Sequence, residues 1–295
     1  MQVYMNGDFV PAHEARISVF DHGFLYGDGV FEGIRVYAGN IFRLHQHVQR
    51  LYDSAQCILL SIPLAPVDMT AAIVETVQRR GLPDQYVRVV VSRGIGDLGL
   101  DPGHCPQPSV IIIADTITLY PAHVYTQGLE LVTVATRRTP AWALDPRIKS
   151  LNYLNNILAK IEAQQAGAIE AVMLNAEGYV AECTADNIFA VRHGHIRTPS
   201  LAAGALPGVT RDSVLAIART LDLPIEESLL TRYDFYTADE CFMTGTGAEI
   251  VPVVRLDGRR IGTGTPGPIT AQIRHQFATL CRRDGVKVKT CLQTV

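Results

Sequence analysis

The chain has 295 residues, 47% hydrophobic and 19% charged, and its 26 basic and 29 acidic side chains leave a net charge of −3. That is length for about two domains or one large one, and a composition too apolar and too weakly charged for a disordered chain. The lack of a basic surplus argues against binding to nucleic-acid phosphates and for a small-molecule or protein partner.

The chain starts without the basic, apolar pattern of a signal peptide, and no apolar run approaches the roughly 20 residues of a membrane span. The six cysteines, at 57, 105, 183, 241, 281 and 291, form no C-x-x-C pair. Both features predict a cytoplasmic protein with isolated thiols and no membrane association. Asn6-Gly7 predicts a hairpin across Val3 to Val10, and a second hairpin runs from Gly33 through Gly39-Asn40 to Phe42. Leu44, Val48, Leu51, Ala55 and Ile58 mark a helix, and Met69, Ala72, Ile73 and Val77 mark another that stops near Gly81. Strands are expected over Gln85 to Arg93 and Ser109 to Thr118. Strands followed by helices and more strands give an α+β pattern, not alternating βαβ.

Periodicity lapses over 119–128, which predicts a linker between a small N-terminal domain, 1–118, and a larger C-terminal one, 129–295. The second half opens with a strand from Leu129 to Arg137. A helix follows from about Ser150 to Ala166, then strands Ala171 to Leu174, Tyr179 to Glu182 and Asn187 to Arg192. Thr210 reads as the cap of a helix carrying Val214, Ile217, Ala218 and Leu221. Glu240 to Met243 reads as a strand, Val251 to Ile261 as a hairpin on Asp257-Gly258, and Ile269, Ile273, Phe277 and Leu280 as an amphipathic helix.

Some motifs are decoys. Gly262 to Gly267 matches G-x-G-x-x-G, but a hairpin precedes it and Pro266 lies inside it, so the dinucleotide reading fails. His45/His47 and His193/His195 are H-x-H pairs without the geometry of a metal site. Other segments suggest chemistry. Lys149 falls where the loop meets the expected helix, a place where a cation is disfavoured and an amine nucleophile is favoured. Gly204 to Asp212 is a glycine-bearing turn entering a helix, with free N–H groups for an anion. Met243 to Ile250 repeats that design at a strand end. Two such cups suggest a phosphate.

Seven segments in order now resemble a family. They are Tyr26-Gly-Asp-Gly-Val-Phe31-Glu-Gly33-Ile-Arg35, His47-Val-Gln-Arg50-Leu, Tyr86-Val-Arg88, Ile148-Lys149-Ser-Leu-Asn, Glu182-Cys-Thr-Ala-Asp-Asn187-Ile-Phe, Leu206-Pro-Gly-Val-Thr210-Arg-Asp and Gly245-Thr246-Gly-Ala-Glu-Ile. Over nearly its whole length the chain resembles the fold-type IV pyridoxal-phosphate enzymes, and within them the branched-chain-amino-acid aminotransferases. The resemblance implies a two-domain α+β fold with the active site in the interdomain cleft, and pyridoxal 5'-phosphate as cofactor.

It implies roles as well. Lys149 is the Schiff-base lysine and proton shuttle, and Glu182 faces the pyridine nitrogen. Arg50, Val209, Thr210 and Thr246 hold the phosphate, Gly208 and Gly245 also bind the cofactor, Tyr153 bonds the ring oxygen, and Leu206 packs on the ring. Tyr26, Phe31, Gly33, Arg35, Tyr86, Arg88, Thr246 and Gly247 receive the substrate. Phe31, Gly33 and Arg35 share one strand face, as do Tyr86 and Arg88, while Val87, Val89 and Val91 point to the core. The implied reaction moves the amino group of L-leucine, L-isoleucine or L-valine to 2-oxoglutarate, reversibly, in a homodimer or higher homo-oligomer. The alternative is a D-amino-acid aminotransferase, or a transaminase with added amine or D-amino-acid activity, on the same fold.

Overall fold

The computed structural model describes residues 1–288, so Cys291 lies outside the described residues. The chain divides into two compact units. The first comprises Met1–Ile117, Ile148–Asn152 and 281–288; the second comprises Thr118–Arg147 and Tyr153–Leu280. Each unit is built on one sheet, and the fold is α+β.

The sheet of the first unit runs, edge to edge, through Gly285–Lys287, Asn40–Phe42, Gly29–Tyr37, Gln85–Ser92, Ser109–Asp115, Gln2–Met5 and Asp8–Pro11. All its pairings are antiparallel. Asn6 and Gly7 take φ of 52° and 108°, the left-handed pair that a tight Asn-Gly hairpin needs. The central strands obey period two. Val30, Ile34, Val36, Val87, Val89 and Val91 are buried in one cluster with Leu44, Val48, Leu51, Met69 and Ile73 of the helices Leu44–Cys57 and Pro66–Arg80. Truncating a residue as enclosed as Ile73 costs about 2–5 kcal/mol.

The second unit has a mixed sheet in the order Ile225–Ser228, His195–Pro199, Asn187–Arg192, Glu240–Gly245, Glu249–Leu256, Leu129–Thr133, Glu170–Leu174 and Val180–Cys183, with Arg259–Arg260 paired to Glu249–Leu256. Its helices include Leu154–Gln165, Val209–Thr220 and Pro268–Cys281.

Several local expectations change. The helix expected from Ser150 begins at Leu154, so Lys149 does not sit at a helix start. It lies instead in an extended segment grouped with the first unit, pinned by backbone bonds from Phe31 N to Lys149 O (3.0 Å) and from Leu151 N to Gly29 O (2.9 Å). Thr210 is not the cap of its helix. Gly208 is, with extended backbone at φ −72° and ψ 134°, and Val209 and Thr210 form the first turn. The 119–128 stretch is packed: Val124–Gln127 is a short helix, and Tyr120 and Val124 are buried in the core of the second unit. The strand expected to reach Arg137 ends at Thr133. Gly262 to Gly267 follows the Arg259–Arg260 hairpin strand and holds no βαβ unit.

Candidate active site

In the first unit, the register of Gly29–Tyr37 against Gln85–Ser92 sets Gly33 opposite Arg88 and Arg35 opposite Tyr86. A Cβ on Gly33 would stand 2.1 Å from Tyr86 Oη and would displace the tyrosine. Glycine therefore lets the tyrosine lie across the strand. Arg88 Nη2 donates to Tyr86 Oη at 3.0 Å. The Arg88 guanidinium lies 4.6 Å from the Phe31 ring centroid, and Lys149 Nζ lies 4.4 Å from it. Phe31 thus carries both cations on its π system, which favours positive charge over its faces. The Arg35 guanidinium stacks 5.2 Å from the Tyr37 ring. Tyr26 ends the short helix His22–Tyr26, and its hydroxyl donates to the Leu98 carbonyl at 2.6 Å. Lys149 N donates to Ser54 Oγ at 3.1 Å, which ties the lysine's backbone to the helix that carries Arg50.

Arg50 has a partner that the sequence reading overlooked. Its Nε donates to Glu32 Oε1 at 2.6 Å and its Nη2 to Glu32 Oε2 at 2.9 Å. His47, one turn earlier, meets Glu32 Oε2 through Nδ1 at 2.8 Å. Glu32 and His47 are both fully enclosed, at 1% and 0% exposure. Burial pushes the Glu32 carboxyl up, but the Arg50 guanidinium and His47 outweigh it and hold it well below the usual carboxylate range. Burial lowers His47, and its Nε2 has no hydrogen-bond partner among the described residues. The signal was available: Glu32 occupies an apolar slot in the alternation Val30, Glu32, Ile34, Val36, so it had to be paired inside.

In the second unit, Glu182 lies near the end of the buried strand Val180–Cys183 at 4% exposure. Its Oε1 pairs with Arg138 Nη2 at 3.0 Å, and its Oε2 accepts from Leu206 N at 2.9 Å and Asn187 Nδ2 at 3.3 Å. Leu206 therefore bonds Glu182 through its backbone, and Asn187 also donates to the Leu206 carbonyl at 2.9 Å. Two residues on, Gly208 leads into Val209–Thr220 with no side-chain cap on the helix. Val209 and Thr210 are buried at 5% and 3%, so first-turn N–H groups meet little solvent. A Cβ on Gly208 would stand 2.1 Å from Asn187 Oδ1. Gly245, Thr246 and Gly247 form the turn between Glu240–Gly245 and Glu249–Leu256, where Gly245 pairs with Glu249. Tyr153 immediately precedes the helix Leu154–Gln165.

The structure thus gathers Phe31, Gly33, Arg35, Tyr86, Arg88, Arg50 and Lys149 in the first unit. It gathers Glu182, Leu206, Gly208, Val209 and Thr210 in the second, where Gly245, Thr246 and Gly247 also lie. The sequence reading gave no role to Glu32, His47, Arg138 and Asn187. It gave none to Tyr120, Glu170 and Asp186 either, which lie together in the second unit.

Comparison with known proteins gives the family. The amino-transferase class IV family model matches residues 29–256. A Methanocaldococcus jannaschii protein is 47% identical over 98% of this chain and 99% of its own length. The crystal structure of the Escherichia coli branched-chain amino acid aminotransferase superposes with a TM-score of 0.93 at 33% identity, covering 95% of this chain and 94% of that one. The branched-chain amino acid aminotransferase of Thermobaculum terrenum, in its PLP-bound holo form, gives 0.87 at 32% identity, covering 96% and 94%. The chain belongs to the class IV aminotransferases.

Proposed function

We propose that this protein is a pyridoxal-5'-phosphate-dependent branched-chain-amino-acid transaminase. It moves the amino group of L-leucine, L-isoleucine or L-valine to 2-oxoglutarate and gives the branched-chain 2-oxo acid and L-glutamate. One observation carries the reading: a single loop joins the buried carboxylate of Glu182, through Leu206 N, to the uncapped N-terminus of Val209–Thr220. A carboxylate fits a protonated ring nitrogen, and a helix start suits a phosphate. An acceptor at one place and donors at the other therefore match the two ends of the cofactor. The names of the relatives agree.

When bound, the cofactor supplies the electron sink for the charge left on the amino-acid Cα. The protein's residues do the rest. Lys149 Nζ takes the Cα proton. Glu182, oriented by Arg138, Leu206 N and Asn187, keeps the ring nitrogen protonated. Arg50, oriented by Glu32, supplies one guanidinium to the phosphate, and Val209, Thr210 and Thr246 supply neutral donors. Gly208 and Gly245 would belong to the turns that make that contact, Tyr153 would bond the ring oxygen, and Leu206 would pack on the ring. Phe31, Gly33 and Tyr86 form an apolar wall for the branched side chain. Arg88 and Tyr26 meet the distal carboxylate of glutamate at its rim, with Arg35 beside them. Gly247 and Thr246 hold the α-carboxylate.

We also propose a homodimer in the cytoplasm. Exposed apolar side chains such as Val19, Phe24, Leu98 and Leu100 support a partner subunit. The free thiols of Cys57, Cys105, Cys183, Cys241 and Cys281 support a reducing compartment. No helix among the described residues is long and apolar enough to cross a membrane.

The test is a rate comparison, L-leucine against D-alanine, each with 2-oxoglutarate and followed by chiral analysis of the glutamate. L-Leucine should be faster and yield L-glutamate. Faster turnover of D-alanine would overturn the assignment.

A further inference from the structure

Asp186 lies four residues after Glu182, in the turn that joins Val180–Cys183 to Asn187–Arg192. Cys183 N closes that turn on the Asp186 carbonyl at 2.7 Å. The residue is 6% exposed, and no cation pairs with its carboxyl among the described residues. Its Oδ2 is 3.3 Å from Tyr120 Oη, and that hydroxyl is also 3.3 Å from Glu170 Oε2. Glu170 itself accepts three N–H donors: Lys160 Nζ at 2.9 Å, Ala171 N at 2.8 Å and Thr184 N at 2.9 Å. Such a donor set belongs to an ionised carboxylate.

The charges decide the rest. Among the described residues, three buried carboxyl groups, Glu170, Glu182 and Asp186, meet the cations Lys160 and Arg138. Lys160 serves Glu170 and Arg138 serves Glu182. A third negative charge would be buried without a partner, which is strongly disfavoured. One arrangement lets the single Tyr120 hydroxyl serve both acids. Asp186 Oδ2 carries a proton and donates it to Tyr120 Oη, and Tyr120 donates its own proton to Glu170 Oε2. Burial first, and then the charge of Glu170, push the Asp186 carboxyl up to about 7.

The other carboxyl oxygen has a separate task. A Cβ on Gly245 would stand 1.8 Å from Asp186 Oδ1. Asp186 thus packs directly against Gly245, the first residue of the Gly245-Thr246-Gly247 turn, which the proposed function assigns to the phosphate and the substrate carboxylate. We propose that Asp186 is a positioning residue that works as a neutral acid. Held uncharged through Tyr120 and Glu170, it braces the Gly245–Gly247 turn without placing a negative charge beside the anions that turn receives. The inference rests on that assignment of the turn. Ionised, Asp186 would repel the same anions and also Glu182.

The groups that face Asp186 are Tyr120, Lys160, Glu170, Glu182 and Cys183, and the turn above it presents backbone. Between pH about 6 and about 9, Asp186 is therefore the group expected to change charge here, since a buried cysteine and tyrosine beside acids titrate higher.

Two measurements test the proposal. The first is the pyridoxal 5'-phosphate affinity of the cofactor-free protein against pH, for the wild type and Asp186→Asn. Asparagine keeps the shape and the neutral carbonyl oxygen but cannot ionise. The ratio of wild-type to Asp186→Asn affinity should be near one at pH about 6 and fall about tenfold by pH about 9. A ratio of ten or more at pH about 6, or one that is flat with pH, would overturn the proposal. Tyr120→Phe, which keeps the ring, should move the wild-type step by at least about half a pH unit; an unmoved step would contradict the relay.

The second measurement needs no cofactor. Infrared difference spectra of the cofactor-free protein at pH about 6 should show a protonated-carboxyl C=O band that Asp186→Asn removes. No such band would sink the neutral-acid proposal. A wild type that shows the band but binds no pyridoxal phosphate would instead sink the assignment of the turn, and with it the brace toward those anions.

Discussion

Both units bury carboxyl groups, and they settle the charge in opposite ways. In the first, Glu32 is met by Arg50 and His47 on successive turns of one helix, and the pairing drives its carboxyl far down. In the second, three carboxyl groups share Lys160 and Arg138, and the one left over, Asp186, is driven up to about 7. Burial acts in the same direction on both. The number of cations in reach decides the outcome. The contrast separates two tasks. An ionised Glu32 fixes the direction of an arginine that must meet a dianion, whereas a neutral Asp186 supports backbone beside an anion without opposing it.

The balanced site should break hardest. Glu32→Gln keeps the shape but removes the charge that Arg50 and His47 meet, and removing one member of a buried pair costs about 3 kcal/mol or more. Urea unfolding at neutral pH should show that loss; a change under about 0.5 kcal/mol would mean that the pair does not hold the fold. The same variant fixes the sign of the pH dependence. The folded state holds the Glu32 carboxyl below its ordinary value of 4.5, so the unfolded chain takes up the proton more readily. The stability this provides is complete above about pH 4.5 and is lost as pH falls below it. Wild-type stability should therefore fall more steeply in acid than that of Glu32→Gln.

The second unit should respond to volume next. Gly245→Ala drives a methyl group into Asp186 Oδ1, and overpacking of this kind costs about 1–3 kcal/mol. Cofactor affinity should fall with it, while thermal unfolding of the first unit's Glu32 site should be unaffected. An unchanged affinity would show that Asp186 does not press on the turn. A surface pair calibrates the comparison. Arg79 and Glu75 meet at 2.7 Å one helical turn apart, with side chains 43% and 49% exposed. Glu75→Ala should cost only about 0.3–0.5 kcal/mol in the same urea experiment, and less in high salt.

Much of this was legible in the sequence where the information is local. Period two separated Val87, Val89 and Val91 from Tyr86 and Arg88, and the structure keeps that division. The alternation also held the clue to Glu32, because an acid in a valine slot requires an interior partner. Lys149 was misplaced because its backbone answers to Gly29 and Phe31, more than a hundred residues earlier, and no helical signal at Ser150 reveals that strand-like pairing. Thr210 read as a cap because a hydroxyl before an apolar stripe usually is one, yet Gly208 fits where a Cβ would strike Asn187. The Tyr120, Glu170 and Asp186 cluster has no local signature. Tyr120 lies 50 residues from Glu170 and 66 from Asp186 in sequence, and only the folded core brings one hydroxyl to both acids.

The central claim is that Lys149 holds the cofactor and performs the proton transfer. Borohydride reduction of the protein loaded with pyridoxal 5'-phosphate, followed by peptide mass mapping, tests it most directly. The account predicts one phosphopyridoxyl group, on Lys149, and none in Lys149→Ala, which should also lose transamination. A label on another lysine, or no label in a protein that still transaminates L-leucine, would contradict it.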